Sequence, residues 1–136
     1  FHTFDPERIV RYGEKDVARL MADAGIVRNK LKIEATIDNA RAYLKLRDRT
    51  TLAAFLWSQM ENGPILNRFA SMKELPSETV ESKRISKALK DEGFRFVGPT
   101  TIYAYMQSVG LVNDHLTTCP RHAAVCKLHR SFERPQ

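Results

Sequence analysis

Residues 89–110 read LKDEGFRFVGPTTIYAYMQSVG, and they predict two helices joined by a very short connection. A helix that ends at Gly93 is followed so closely by a helix that starts at Pro99 that the two are expected to form a hairpin. Gly98 allows a tight turn because it has no Cβ, and proline is favoured at the first helical position. This segment therefore indicates a helical fold built around a hairpin.

The first turn of the helix that starts at Pro99 is a candidate anion site. The N–H groups of Thr100 and Thr101 have no partner within a helix, and the helix dipole favours negative charge there. A DNA phosphate fits such a site, and this contact positions a duplex without reading its sequence. Arg95, in the connection, favours this interpretation. The alternative is a helical connection without a ligand, because Gly-Pro before a helix is common.

Outward from the hairpin, the chain predicts further helices that end at glycine or proline. Asp5-Pro6 is typical of a capped helix start, and we expect Gly13 to close that first helix. We expect Gly25 to adopt the left-handed conformation that ends many helices. Apolar residues recur at helical spacing in four longer ranges, which are 14–24, 30–46, 52–60 and 81–92.

No segment predicts a β-strand of useful length. The alternation at 94–96 is too short, and residues 64–80 and 111–136 show no regular apolar spacing. The predicted fold class is therefore all-α, with one domain over residues 1–119 and a C-terminal tail over 120–136. Aromatic residues at helical spacing are expected to pack in the core rather than to stack on a base; they are Tyr43, Phe55, Trp57 and Phe69.

Composition and charge narrow the class of protein. The chain has 136 residues, 43% of them hydrophobic, which suits one folded domain and excludes intrinsic disorder. No apolar run reaches the ~18 residues of a membrane span. The formal charge is +6, from 22 basic and 16 acidic residues, which fits a polyanionic partner, although many basic domains bind no nucleic acid. Two cysteines cannot form a disulfide framework, so we expect a reducing, cytoplasmic compartment.

Four metal-ligating residues stand close together near the C-terminus. His115, Cys119, His122 and Cys126 follow the spacing H-x3-C-x2-H-x3-C. A histidine and a cysteine four apart lie on one helical face and can form half of a zinc site. Three interpretations stay open at this point: a half-site completed by ligands from elsewhere, a self-contained site of all four residues, or no metal.

Two acidic residues, Glu34 and Asp38, lie four apart on the helix predicted over 30–46. The spacing resembles that of a catalytic carboxylate pair. We favour instead ion pairs with basic neighbours on the same helix, such as Lys30 and Arg41.

Three stretches of the sequence resemble a known family. Residues 96–101, then Tyr103 and Gln107, then 110–115 with the sequence GLVNDH, are similar to the 3-methyladenine DNA glycosylase I family. Residues 23–42 and 1–6 resemble it as well, so the resemblance covers nearly all of residues 1–119. The family belongs to the helix-hairpin-helix DNA glycosylases.

The resemblance implies a monofunctional DNA repair glycosylase. Such an enzyme flips alkylated adenine, 3-methyladenine, out of duplex DNA and hydrolyses its N-glycosidic bond. Bifunctional relatives carry a Schiff-base lysine where this chain has Thr100, which cannot form an imine, so no lyase step is expected. Arg95, Gly98, Thr100 and Thr101 are the expected DNA contacts, and we expect a monomer. The alternative from another class is a non-catalytic helix-hairpin-helix module that only binds duplex backbone.

The resemblance also implies a structural zinc ion and a missing segment. The family's zinc ligands match His115 and Cys119, with two further ligands expected from an N-terminal stretch that these residues do not include. His122, Cys126 and His129 would then be bystanders. The same stretch carries the family's base pocket, so the catalytic residues are unknown here, and we expect the fragment to be incomplete for catalysis.

Two positions depart from the wider superfamily or stay ambiguous. Phe96 stands where the usual hairpin has a glycine, which leaves the shape of the turn open. The superfamily's catalytic aspartate lies near Asn113 and Asp114, in an ambiguous register. We favour a role for Asp114 in capping a turn.

Overall fold

A computed structural model describes all 136 residues, and it is mostly helical, as predicted. Seven α-helices follow one another, with 3-10 turns at His2–Phe4 and Met72–Glu74. The helices are α1 Pro6–Ile9, α2 Glu14–Ala22, α3 Lys30–Arg47, α4 Leu52–Ser58, α5 Val80–Asp91, α6 Pro99–Val109 and α7 Pro120–Arg130.

Contacts along the chain divide it into two compact units. The first unit is Phe1–Leu52 with Ala88–Val97, and the second is Ala53–Lys87 with Gly98–Gln136. The domain boundary expected at residue 119 stays a prediction.

The core of the first unit forms where α1 and α2 pack against α3. α3 is long and its buried positions recur at helical spacing, as the sequence predicts. The start of α1 is also as expected. Asp5 precedes Pro6 as the N-cap, and its carboxylate accepts hydrogen bonds from the N–H groups of Glu7 and Arg8. The buried cluster comprises Ile9, Tyr12, Leu20, Ile33, Ile37 and Ala40.

The second unit buries apolar and polar residues together. Trp57 is buried, as expected for a core aromatic, and its ring lies 4.5 Å from that of Phe132. Ser82, Asn113, Asp114 and His122 are buried as well. Because buried polar groups need hydrogen-bond partners, this unit depends on side-chain pairing that apolar spacing does not reveal.

The prediction of loop over residues 111–136 is wrong in two places. Helix α7 covers Pro120–Arg130, and its one buried residue is His122 rather than an apolar side chain, so it has no apolar stripe to detect. The strands β1, Ile65–Leu66, and β2, Val112–Asn113, pair in parallel, with the Ile65 N–H donating to the Leu111 carbonyl at 2.8 Å. Two-residue strands are too short to show a period.

Two glycines differ from expectation. Gly13 does not close α1; it is the N-cap of α2 and its N–H donates to the Asp16 carboxylate at 3.2 Å. α2 ends at Ala22 with extended backbone at Asp23, and Gly25 is not among the glycines with positive φ. Its N–H donates instead to the Asp23 side chain at 2.8 Å, which makes the turn without a left-handed residue.

Candidate nucleic-acid interface and polar pocket

The end of α5 has the geometry that the sequence predicts. Gly93 has φ +94°, and the Phe94 and Gly93 N–H groups donate to the Leu89 and Lys90 carbonyls at 3.0 and 2.9 Å. This pattern is the Schellman motif, in which a left-handed glycine lets the chain leave the helix. The next residues, 94–97, are called the hairpin loop below.

Phe96 settles the shape of the hairpin loop. Its φ is +57°, the left-handed conformation that glycine adopts freely and that bulky residues rarely take. A phenylalanine therefore holds a positive φ at this position of the loop. Phe96 is 52% exposed, so its ring is available to solvent.

The start of α6 presents unpaired donors, as predicted. Gly98 is the N-cap, with φ −62° and ψ 159°, and its carbonyl accepts from the Ile102 N–H at 2.9 Å. Thr100 and Thr101 are exposed, and no protein group accepts from their N–H groups. A Cβ on Gly98 would meet nothing within 4 Å, so this glycine is not required by φ or by internal packing.

Arg95 lies in the first unit and is already paired. Its guanidinium donates to the Asp38 carboxylate at 2.6 Å, and Asp38 also accepts from Arg41 at 2.8 Å. The expected pairing of Asp38 and Glu34 with basic neighbours is confirmed, with Lys30 3.7 Å from Glu34. The guanidinium has further N–H donors beyond the one bound to Asp38, and the role of Arg95 in DNA binding stays a prediction.

Asp114 is a buried carboxylate at the centre of a hydrogen-bond network. It is 7% exposed and accepts from the Asn67 amide at 2.7 Å, the Gln107 amide at 2.9 Å and the Tyr103 hydroxyl. Burial, and then the bond to Asp114, raise the pKa of Tyr103 above its ordinary value, so this phenol stays a donor. The turn-capping role favoured for Asp114 is wrong, because the Asn113 side chain accepts from the His115 N–H at 3.3 Å instead.

The network lies at the wall of a pocket of about 410 Å³ in the second unit. Gln107 and Asp114 supply polar atoms, and His115 and Cys119 also line the pocket. Most of the remaining wall is apolar, formed by Met72, Leu75, Val112, Leu116 and Val125.

The structure brings together the two residues expected to bind zinc. The His115 Nδ1 and Cys119 Sγ atoms are 4.0 Å apart. A zinc ion about 2.0–2.1 Å from nitrogen and 2.3 Å from sulfur can bridge that distance, so this pair fits half of a zinc site.

His122 and Cys126 do not complete that site. His122 Nε2 lies 2.9 Å from the Asn67 carbonyl, which can only accept, so Nε2 carries the proton. Nδ1 then faces the Cys126 sulfur at 3.7 Å. No three His, Cys, Asp or Glu side chains gather where they could hold a metal, so the four residues do not form a self-contained site.

No helix of the structure combines the length and the apolar character that a membrane-spanning helix requires.

Sequence reasoning missed two parts of this arrangement. Asn67 lies in the range 64–80, where no regular spacing predicts structure, and its pairing with Asp114 spans 47 positions. The amide of Asn39, 56 positions before Arg95, bonds to that residue's backbone. Neither pairing leaves a local signal, although Tyr103 and Gln107 do stand among the residues that carry the family resemblance.

Comparison with known proteins identifies the family of the chain. Residues 1–122 match the family model described as methyladenine glycosylase. The chain is 43% identical over 121 residues to DNA-3-methyladenine glycosylase of Haemophilus influenzae, covering 88% of this chain and 65% of that protein. It is 45% identical over 120 residues to DNA-3-methyladenine glycosylase 1 of Escherichia coli, covering 88% and 64%.

A solved structure supports the fold. A crystal structure of 3-methyladenine DNA glycosylase I superposes with a TM-score of 0.84 at 45% identity, covering 88% of this chain and 66% of that one. The chain thus spans just under two thirds of the length of the curated relatives it matches. Because the family model matches nine tenths of the chain in one run, the chain belongs to the methyladenine glycosylase family.

Proposed function

We propose that this protein is a DNA repair glycosylase that removes 3-methyladenine from alkylated duplex DNA. The observation that supports the proposal is the family match over residues 1–122, with 43% and 45% identity to two proteins named DNA-3-methyladenine glycosylase. The chain spans only part of those relatives, so the activity is proposed for the whole protein.

The proposed reaction is hydrolysis of the N-glycosidic bond without a lyase step. Methylation at N3 makes adenine cationic and hence a good leaving group, so the protein mainly has to flip and hold the base. A lyase step needs an amine to form an imine with the sugar, and the matching position is Thr100. The hydroxyl of Thr100 cannot form one.

The first turn of α6 is the proposed contact with the duplex. The unpaired N–H groups of Thr100 and Thr101 point to a phosphate ligand, since the positive end of the helix dipole favours an anion. Gly98 leaves room for the DNA backbone at this point. The net charge of +6 supports binding to a polyanion.

We further propose that His115 and Cys119 bind a structural zinc ion. A thiolate and an imidazole are ligands that zinc prefers, and a closed tetrahedral site needs two more. Such an ion would hold segments together rather than supply a reacting water. We expect Cys119→Ser to lower the zinc content of the purified protein, and Cys126→Ser to leave it unchanged.

The two free cysteines support a cytoplasmic location, where thiols stay reduced.

The deciding experiment uses the product of the complete reading frame and DNA treated with a methylating agent. We expect free 3-methyladenine to be released, with intact abasic strands until alkali is added. Strand cleavage without alkali would contradict the absence of a lyase step. Duplex binding without release of any base would favour the non-catalytic module and overturn the proposal.

A further inference from the structure

The side chain of Asn39 holds the hairpin loop at two points. Its Nδ2 donates to the Arg95 carbonyl at 3.1 Å, and its Oδ1 accepts from the Arg95 N–H at 2.7 Å. One carboxamide therefore pairs with both backbone groups of a single residue, as a neighbouring strand does in an antiparallel pair. Asn39 lies between the buried residues Ile37 and Ala40 on α3, so its backbone is anchored in the core of the first unit.

The hairpin loop needs an outside support of this kind. Phe96 follows Arg95 directly and is held at φ +57°, a conformation that an aromatic residue rarely adopts. Its ring is half exposed, so burial of the ring contributes little to holding it there. The Asn39 clamp fixes the peptide groups immediately before this position.

Asp38, the neighbour of Asn39, holds the side chain of the same residue. Its carboxylate accepts from the Arg95 guanidinium at 2.6 Å. Both the backbone and the side chain of Arg95 are thus bound to consecutive residues of α3. This arrangement makes Arg95 part of the support of the loop and not a free cation.

We propose that Asn39, assisted by Asp38, is a positioning residue that holds the hairpin loop in the shape in which it contacts duplex DNA. The proposal rests on the proposed function, because it assigns the loop to the DNA interface. Asn39 itself does not touch the DNA. It acts through the backbone of Arg95 and the left-handed conformation of Phe96.

The test compares Asn39→Ala with Thr36→Ala in the product of the complete reading frame. Thr36 lies one turn earlier on α3, and its hydroxyl donates to the Lys32 carbonyl at 2.9 Å, within the helix. We expect Asn39→Ala to weaken affinity for an undamaged duplex by about tenfold and Thr36→Ala to leave it unchanged. Melting curves for both variants confirm that they fold.

The salt dependence of binding separates positioning from direct contact. Loss of one phosphate-neutralising cation lowers the salt slope by about 0.9, whereas loss of a neutral positioning group leaves the slope unchanged. We expect the wild-type slope for Asn39→Ala and also for Arg95→Ala. A slope reduced by about one in Arg95→Ala would show that Arg95 neutralises a phosphate, and it would overturn the supporting role assigned to Arg95.

Amide hydrogen exchange tests the clamp without DNA. The Arg95 N–H has Asn39 Oδ1 as its acceptor, so its exchange should become faster in Asn39→Ala and stay slow in Thr36→Ala. Adding Phe96→Gly to Asn39→Ala should recover most of the lost affinity, because glycine adopts positive φ without support.

The possible failures are distinct. If the wild-type protein binds no duplex, the proposed function fails, and the role of Asn39 in DNA binding fails with it. If the wild type binds duplex but Asn39→Ala retains both its affinity and its slow Arg95 exchange, only the clamp is overturned. A loss of affinity that Phe96→Gly does not restore would show that Asn39 acts in some other way.

Discussion

Asp114 and Asp38 both gather hydrogen-bond donors, but they do so in opposite surroundings. Asp114 is 7% exposed in the second unit, and its three side-chain donors, Asn67, Tyr103 and Gln107, are all neutral. The side chain of Asp38 is 36% exposed in the first unit, and its two partners are arginines. Water can reach the arginines that pair with Asp38, whereas the Tyr103 hydroxyl that donates to Asp114 is buried away from it.

This difference separates a stabilising network from a positioning contact. A buried polar network is costly when one member is lost, because the remaining donors have no alternative partner. Exposed ion pairs contribute little to folding, because water and salt compete with them. Asp38 and Asn39 can therefore set the shape of a loop without determining whether the chain folds.

The largest expected effect is from Asp114→Ala, which leaves the buried Tyr103 hydroxyl and the half-buried Asn67 and Gln107 amides without their acceptor. We expect the free energy of unfolding to fall by about 3–4 kcal/mol. Asp38→Ala should lower it by less than about 1 kcal/mol. Urea denaturation of the two variants measures both values, and equal losses would contradict the comparison.

Tyr103→Phe removes one donor from the same network, and we expect a loss of about 2 kcal/mol at neutral pH. Burial, then the bond to Asp114, raise the pKa of Tyr103 above its ordinary value of 10, so the folded state resists ionisation. Stability from this group is full below pH 10 and is lost as the pH rises from 10 through the folded pKa.

The decrease in the free energy of unfolding above pH 10 that is due to Tyr103 should be absent in Tyr103→Phe. Unfolding free energies measured from neutral pH to above pH 10 test this, with Tyr105→Phe as the control because Tyr105 is 41% exposed. Tyr105→Phe should keep the wild-type decline. A Tyr103→Phe protein that declines as steeply as the wild type would show that this phenol is not the group responsible.

The two glycines beside the hairpin loop, Gly93 and Gly98, extend the comparison between stability and positioning from side chains to the backbone. Gly93 has φ +94°, so Gly93→Ala should lower the free energy of unfolding by about 1 kcal/mol. Gly98 has φ −62° and open space beside it, so Gly98→Val should lower the free energy of unfolding only by the cost of a poor N-cap residue, about 1 kcal/mol, but weaken binding to all duplexes. A folded Gly98→Val protein with normal duplex affinity would remove α6 from the interface.

The parts of the fold that depend on local patterns could be predicted from the sequence. The apolar spacing of 30–46 predicts α3 to within one residue, and Gly93 and Pro99 bracket the connection between α5 and α6 as expected. Helix α7 was missed because a histidine, His122, occupies its buried position.

The candidate site was predictable only where its residues are close in sequence. His115, Cys119, His122 and Cys126 follow one another at metal-ligand spacing, and the family resemblance then selects His115 and Cys119 from the four. Asn39 and Asp38 contact Arg95 across more than 50 positions, and Asn67 reaches Asp114 across 47. A polar pair of this kind is fixed by tertiary packing, and nothing in the residues beside either partner indicates it.

The smallest effect we predict concerns the exposed ion pair of Glu7 and Arg47, whose charged atoms are 2.6 Å apart. The hydrogen bond from Arg47 is the main cause that lowers the pKa of Glu7 below its ordinary 4.5, and backbone donation at the start of α1 adds to it. A group with a lowered folded pKa contributes stability above pH 4.5 and loses it as the pH falls through the folded pKa.

Glu7→Gln should therefore flatten the decline in melting temperature below pH 4.5. Glu14→Gln is the matched control, because Glu14 also lies in the first turn of a helix and no arginine pairs with it. High salt should reduce the difference between wild type and Glu7→Gln, because both side chains are nearly half exposed. The loss of stability caused by Glu7→Gln should be smaller than the loss caused by Tyr103→Phe. An equal loss would contradict the view that the buried network, and not the exposed ion pairs, stabilises the fold.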